Sequence, residues 1–139
     1  MIVMMVRDVM TRRLVTIGPE TPCHEARRMM DEHRIRHLPV VAAGRVVGML
    51  SDRDVRSSAS ESPGSVAGRI MTPDPVTVTP ETRIEHAARL MLDARFGSLP
   101  VVDGNLVGIV TYTDLLRAFV HVVETATLER IAVEVAGGE

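Results

Sequence analysis

Ser51 and Asp54 in "GMLSDRD" (48–54) recur as Thr111 and Asp114 in "GIVTYTD" (108–114), 60 residues later. A short hydroxyl followed three residues on by a carboxylate has two chemical uses. It caps a helix, the hydroxyl accepting from the N3 N–H and the carboxylate from the N-cap N–H. It also suits a sugar phosphate. An ionised carboxylate in a first helical turn is stabilised by the helix dipole and offers lone pairs to two vicinal hydroxyls, while the same turn supplies N–H donors to a phosphate. The two uses are compatible, because the cap is the platform on which such a grip is built.

Other chemistry finds little support. All 16 basic residues are arginine, so a P-loop lysine, a Schiff-base lysine and a catalytic ammonium are absent. Cys23 is alone and makes neither an intrachain disulfide nor a multi-cysteine zinc site. His24, His33, His37, His86 and His121 include no HxxxH pair on one continuous helix, since the helix should end between His33 and His37; no metal site is expected. No nucleophile comes with a base and an orienting partner, so the chain reads as a non-enzyme with no catalytic residues and no cofactor. Phe96, Phe119 and Tyr112 are the only aromatics and the net charge is −2, which argues against a nucleic-acid partner. No apolar run approaches the ~20 residues of a membrane span, and "MIVMMV" is broken by Arg7 and Asp8. A cytoplasmic location without membrane contact is the expectation.

The elements that must position the motif are written twice. "VMTRRLVTIGPET" (9–21) aligns with "IMTPDPVTVTPET" (70–82), and "RIRHLPVVAAGRVVGMLSDRD" (34–54) with "RFGSLPVVDGNLVGIVTYTD" (95–114). In each copy a β-branched run (14–17; 76–78) predicts a short strand. "PET" then closes it and offers Thr21 or Thr82 as a helix N-cap, with Pro22 at N1 in one copy and a Thr82–Glu85 capping box in the other. Ala26, Met29 and Met30 in the first helix, and Ile84, Ala87, Ala88 and Met91 in the second, form buried faces. "HLPVV" with "RVVGML", and "SLPVV" with "NLVGIV", read as hairpins across Gly-containing turns. A second helix follows, over about 52–58 and 113–124.

The pattern predicts a mixed α/β (α+β) chain of two strand-helix-strand-strand-helix repeats, at 5–58 and 69–123. A Ser/Gly/Pro-rich linker spans 59–68 and a tail spans 124–139, where "RIAVEV" leans toward β structure. About 60 residues bury too little apolar surface for either copy to stand alone. The copies are therefore expected to pack with pseudo-two-fold symmetry, sheets face to face, leaving two related clefts.

The duplicated unit, with "HLPVV" and "SLPVV" followed by glycine and then "hhSxxD" or "hhTxxD", resembles the CBS domain, named for cystathionine beta-synthase. Two in tandem resemble a CBS pair, or Bateman module. The resemblance implies a regulatory sensor that binds an adenosine-containing ligand, AMP, ADP or ATP, between the repeats and passes a conformational change to an unidentified protein partner. It also implies a homodimer. Alternatives are a ligand-free dimeric interaction scaffold or an S-adenosylmethionine binder.

By that resemblance Asp54 and Asp114 accept from ribose hydroxyls, and Ser51 and Thr111 face phosphate. Val15, Thr16 and Ile17 with His37, Leu38 and Pro39 flank adenine in one pocket. Val76, Thr77 and Val78 with Ser98 to Pro100 do so in the other. Copy one surrounds its motif with Arg53, Arg56, Arg36 and His37, whereas copy two has Tyr112 and Thr113 where an arginine would help. Phosphate charge thus favours the first motif, unless Arg12, Arg13 or Arg69 crosses the cleft.

Overall fold

The computed structural model describes residues 3–137; Met1 and Ile2 of the opening apolar run and Gly138 and Glu139 of the tail lie outside the described residues. In chain order the elements are α1 (Val6–Val9), α2 (Cys23–His33), β1 (His37–Ala42), β2 (Arg45–Ser51), α3 (Asp52–Val55), a 3₁₀ turn (Ser58–Glu61), α4 (Ala67–Ile70), β3 (Thr72–Pro73), α5 (Ile84–Ala94), β4 (Ser98–Asp103), β5 (Asn105–Thr111) and α6 (Tyr112–Gly137). The expected hairpins are present: β1 pairs antiparallel with β2 and β4 with β5, each carrying an irregularity between the two valines that follow the proline, at Val40/Val41 and Val101/Val102. Helices α2 and α5 lay Ala26 and Met30, and Ala87 and Met91, into two separate cores. Both helices end on an arginine in the left-handed region, Arg34 (φ 54) and Arg95 (φ 58).

The two repeats exchange their leading segments. The core around Val78, Ala87, Leu99 and Val110 of the second repeat is completed by Val6 and Met10, from the start of the chain. The core around Ile17, Ala26, Leu38 and Leu50 of the first repeat is completed by Ala67, from the end of the expected linker where it leads into the second copy, with Ile70 and Met71 packed against it. Hydrogen bonds follow the same reciprocity. Val6 N–H donates to Thr82 O (2.7 Å) and Arg7 N–H to Pro80 O (2.9 Å), while Ala67 N–H donates to Thr21 O (2.8 Å) and Gly68 N–H to Pro19 O (2.9 Å). β3 pairs with β2, and Thr11 bridges Ile109 of β5. The result is an α/β fold of two repeats related by pseudo-two-fold symmetry.

Several expectations are corrected. The runs at 14–17 and 76–78 are not strands but single parallel bridges, Ile17 to Val40 and Val78 to Val101. Prolines explain the arrest: Ile17 bonds Pro39 O and Val41 N–H, so the next rung, at Val15, needs an N–H from Pro39 that proline lacks; Val76 and Pro100 repeat the situation. Thr21 and Thr82 do not cap the helices. Their hydroxyls accept from Gly18 N–H (3.1 Å) and Thr79 N–H (3.0 Å), closing the preceding turn. The first helical N–H groups, of Cys23 and Ile84, instead donate to Ser65 O (3.0 Å) and Met4 O (3.1 Å) of the exchanged segments. Pro22 stands at the N-cap position rather than at N1.

The helix expected over 52–58 is one turn, α3, followed by the 3₁₀ turn. Ser57 Oγ donates to Asp54 O at 2.6 Å, competing with helical continuation. "RIAVEV" is helical. It prolongs α6 to 26 residues, about 39 Å. Extending an existing helix adds a hydrogen bond for each residue fixed.

The motif glycines mark where the exchanged segments cross. A Cβ at Gly108 would stand 2.9 Å from Met10 Sδ and 3.0 Å from Thr11 O; one at Gly48 would meet the Met71 sulfur and stand 3.0 Å from Thr72 O. A carbonyl oxygen on a paired backbone yields little. Gly48→Ala and Gly108→Ala should each cost ~1–3 kcal/mol, lowering the urea midpoint at unchanged m-value. Midpoints equal to wild type would show that the crossing is loose.

Candidate functional site

Two clefts open between the repeats, and each takes one wall from each copy. The first, of about 520 Å³, sets Val15, His37 and Pro39 of the first repeat against Thr111, Tyr112 and Asp114 of the second. The other, of about 710 Å³, sets Val76 and Ser98 of the second repeat against Ser51, Arg53 and Asp54 of the first. His37, Gly97, Arg36 and Tyr112 border both, so they form the partition between the clefts. The remaining sequence candidates line neither. Ile17, Leu38, Val78 and Pro100 are buried in the cores, and Thr16 and Thr77 are exposed elsewhere. Alternation explains Leu38, which must point away from the face that shows His37 and Pro39.

Both hydroxyl–carboxylate motifs are realised, with unequal commitments. Ser51 N–H donates to Asp54 Oδ2 (2.9 Å) and Asp54 N–H to Ser51 Oγ (3.1 Å), a complete capping box at the start of α3. Asp54 is half-buried. Asp114 is 4% exposed and more heavily used. It accepts from Thr111 N–H (2.9 Å), from the Thr111 hydroxyl (3.2 Å) and from the Thr11 hydroxyl (3.3 Å), while Arg117 approaches to 3.8 Å. The Thr11 contact comes from the exchanged leading segment, so Asp114 ties the two repeats together as well as starting α6.

Arginines are distributed otherwise than the motif context suggests. Arg13 crosses to the Asp114 cleft and joins Arg34, Arg36 and Arg117 there. Arg36, Arg53 and Arg95 line the Asp54 cleft, facing Asp52 and Asp54. The second copy's motif is therefore not short of cations. Arg12 turns to Arg7 O (3.0 Å), Arg56 is held by Asp52 (3.0 Å), and neither they nor Arg69 lines a cleft. Burial pushes His37 below the ordinary imidazole pKa; Asp54 pulls it back up, Arg36 opposes that, and Asp52 adds a smaller upward pull. Its ring is thus biased toward the neutral form on the partition.

Arg34, Arg95 and Gly97 went unselected in the sequence. The available signal was the arginine repeated at equivalent positions in "RIRH" and "RFGS", just where each helix must stop. Between Val15 and its counterpart Val76, the arrested ladder brings backbone groups without sheet partners to the two clefts. Among the described residues no group of three or more His, Cys, Asp or Glu side chains is placed to hold a metal ion, and no helix is long and apolar enough to cross a membrane.

Comparison with known proteins matches this architecture. The CBS domain family model matches twice, over residues 6–61 and 67–121. An inosine-5'-monophosphate dehydrogenase from Korarchaeum cryptofilum is 38% identical over 112 residues, 79% of this chain; the chain spans 23% of the length of that relative. The crystal structure of CBSX2, an Arabidopsis thaliana protein, in complex with AMP is 36% identical, with a TM-score of 0.73 over 85% of this chain and 97% of that one. The CBS domain pair of protein MJ0100 in complex with 5'-methylthioadenosine and S-adenosyl-L-methionine is 29% identical, with a TM-score of 0.78 over 85% of this chain and 97% of that one. With both repeats matched by the family model and the whole fold shared with solved domain pairs, the chain belongs to the CBS domain family and carries two CBS domains in tandem.

Proposed function

We propose that this CBS pair is a non-enzymatic regulatory module that binds an adenosine-containing ligand, AMP, ADP or ATP, in the clefts between its repeats and passes the resulting change to a protein partner. The observation that carries the reading is the composition of each cleft. A capped aspartate from one repeat faces an apolar wall from the other, where the sheet ladder stops and frees backbone at Val15 or Val76. The carboxylate suits vicinal ribose hydroxyls, the free backbone donors and acceptors suit the edge of a purine, and the arginines suit phosphate. AMP in CBSX2 supports the same ligand class here. The ligand shifts the pair only as far as it binds two arrangements differently, and the shared partition of His37 and Tyr112 is where one cleft feels the other.

A second reading is a ligand-free dimeric scaffold. It is favoured by apolar side chains left exposed along α6, including Leu116 (64%) and Phe119 (63%). A thermal-shift screen with AMP, ADP, ATP and S-adenosylmethionine separates the two. Binding to the folded state must raise stability, by ~2.7 kcal/mol at a hundred times Kd. A shift with one nucleotide supports the sensor, whereas no shift with any at millimolar concentration supports the scaffold.

The unequal commitments of the two aspartates predict unequal variants. Asp54→Ala should raise the Kd of its cleft at least about tenfold, the loss of a charge-assisted hydrogen bond, at modest cost in stability. Asp114→Ala should also lower stability by ~1–2 kcal/mol, because it removes the carboxylate that accepts from Thr111 at the start of α6 and the tie to Thr11. Calorimetry and thermal unfolding read the two effects separately. Wild-type affinity in Asp54→Ala would remove the aspartate from the proposed site.

A further inference from the structure

Helices α2 and α5 stop on Arg34 and Arg95, equivalent positions of the two repeats, both in the left-handed region at φ 54 and φ 58. That is the place in a helix stop where glycine is favoured, because a Cβ there is crowded against the backbone. Arginine in both copies carries this cost twice. Each arginine belongs to a different cleft: Arg34 lines the one that holds Asp114, and Arg95 lines the one that holds Asp54. Neither side chain has an ion-pair partner among the described residues, in contrast to Arg28, Arg56, Arg117 and Arg130. A cation at a helix C-terminus is favoured by the helix dipole, which offsets part of that backbone cost and leaves each guanidinium free of a protein carboxylate among the described residues. A cation rooted at the end of a packed helix and lining a cleft that also holds a carboxylate from the other repeat has the arrangement of a phosphate arm.

We propose that Arg34 and Arg95 are specificity-determining residues that bind the phosphate of the ligand, one in each cleft, and so set the preference of this chain for a nucleotide over a nucleoside. The proposal rests on the reading of the clefts as adenosine sites and adds which residues discriminate within that class. Guanidinium suits the task, since its planar donor fork matches phosphate oxygens and stays charged throughout the accessible pH range. The helix end fixes where each arginine's side chain starts, independently of the aspartate on the opposite repeat.

The test separates phosphate recognition from folding and from adenosine binding. Affinities for adenosine and for AMP are measured by calorimetry on the full chain, for wild type and for the Arg34→Gly/Arg95→Gly double variant. Arg34→Asn/Arg95→Asn serves as a second pair, because asparagine also tolerates the left-handed region. AMP binding should weaken at least about tenfold while adenosine binding changes less than about twofold. The melting temperature should hold or rise, because glycine relieves the backbone. Unchanged AMP affinity overturns the assignment, as does parallel loss of both ligands or a lowered melting temperature in both pairs. If wild type binds adenosine and AMP equally, the arginines are not phosphate arms and the adenosine site stands. If wild type binds neither, the adenosine reading falls and this inference with it.

Discussion

The crossing of each leading segment over the other repeat's glycine is the contact on which everything else depends. Met10 and Thr11 lie against Gly108, and Met71 and Thr72 against Gly48, so tightly that a methyl group has no room. Neither repeat owns a complete core without the segment it receives: Val6 and Met10 fill one, Ala67 the other. The same segments satisfy the first N–H groups of α2 and α5 through Ser65 O and Met4 O. Each of those N–H groups, if buried without a partner, would cost about 1–3 kcal/mol. The duplicated sequence is thus one cooperative unit rather than two domains in contact.

Exchange also decides the composition of the clefts. Because each glycine strand runs beneath the other repeat's leading segment, its terminal aspartate opens toward the other repeat's arrested strand. Asp114 looks onto Val15 and Pro39, and Asp54 onto Val76 and Ser98. Thr11 makes the coupling chemical, since its hydroxyl donates to Asp114 and sits in the segment that closes the second core. On the proposed function, a ligand that binds differently to the two arrangements of that contact shifts the packing between repeats.

Much of this was legible in the residues. The hairpins, the buried faces of α2 and α5 and the two hydroxyl–carboxylate caps follow from patterns local enough to read in a line. What escaped was set by partners far along the chain. Thr21 and Thr82 look like caps because nothing nearby reveals that Ser65 and Met4 supply the carbonyl acceptors instead. Leu14 to Ile17 looks like a strand until Pro39 is found opposite, unable to donate the next rung. "RIAVEV" has the β-branched content of a strand, and the helix already running through Phe119 and Val123 overrides it. Pairing Asp114 with Val15 rather than with Val76 is invisible to any spacing rule, since the exchange preserves every distance within each copy.

The central claim, that each ligand site is assembled from both repeats, is tested most directly by calorimetric stoichiometry with AMP on two paired variants. Asp54→Ala/Val76→Arg places both lesions in one cleft, and Asp54→Ala/Val15→Arg spreads them over two. Cross-assembly predicts that the first pair keeps one site of wild-type affinity and the second keeps none. The reverse outcome, a site surviving in Asp54→Ala/Val15→Arg and none in Asp54→Ala/Val76→Arg, would contradict it.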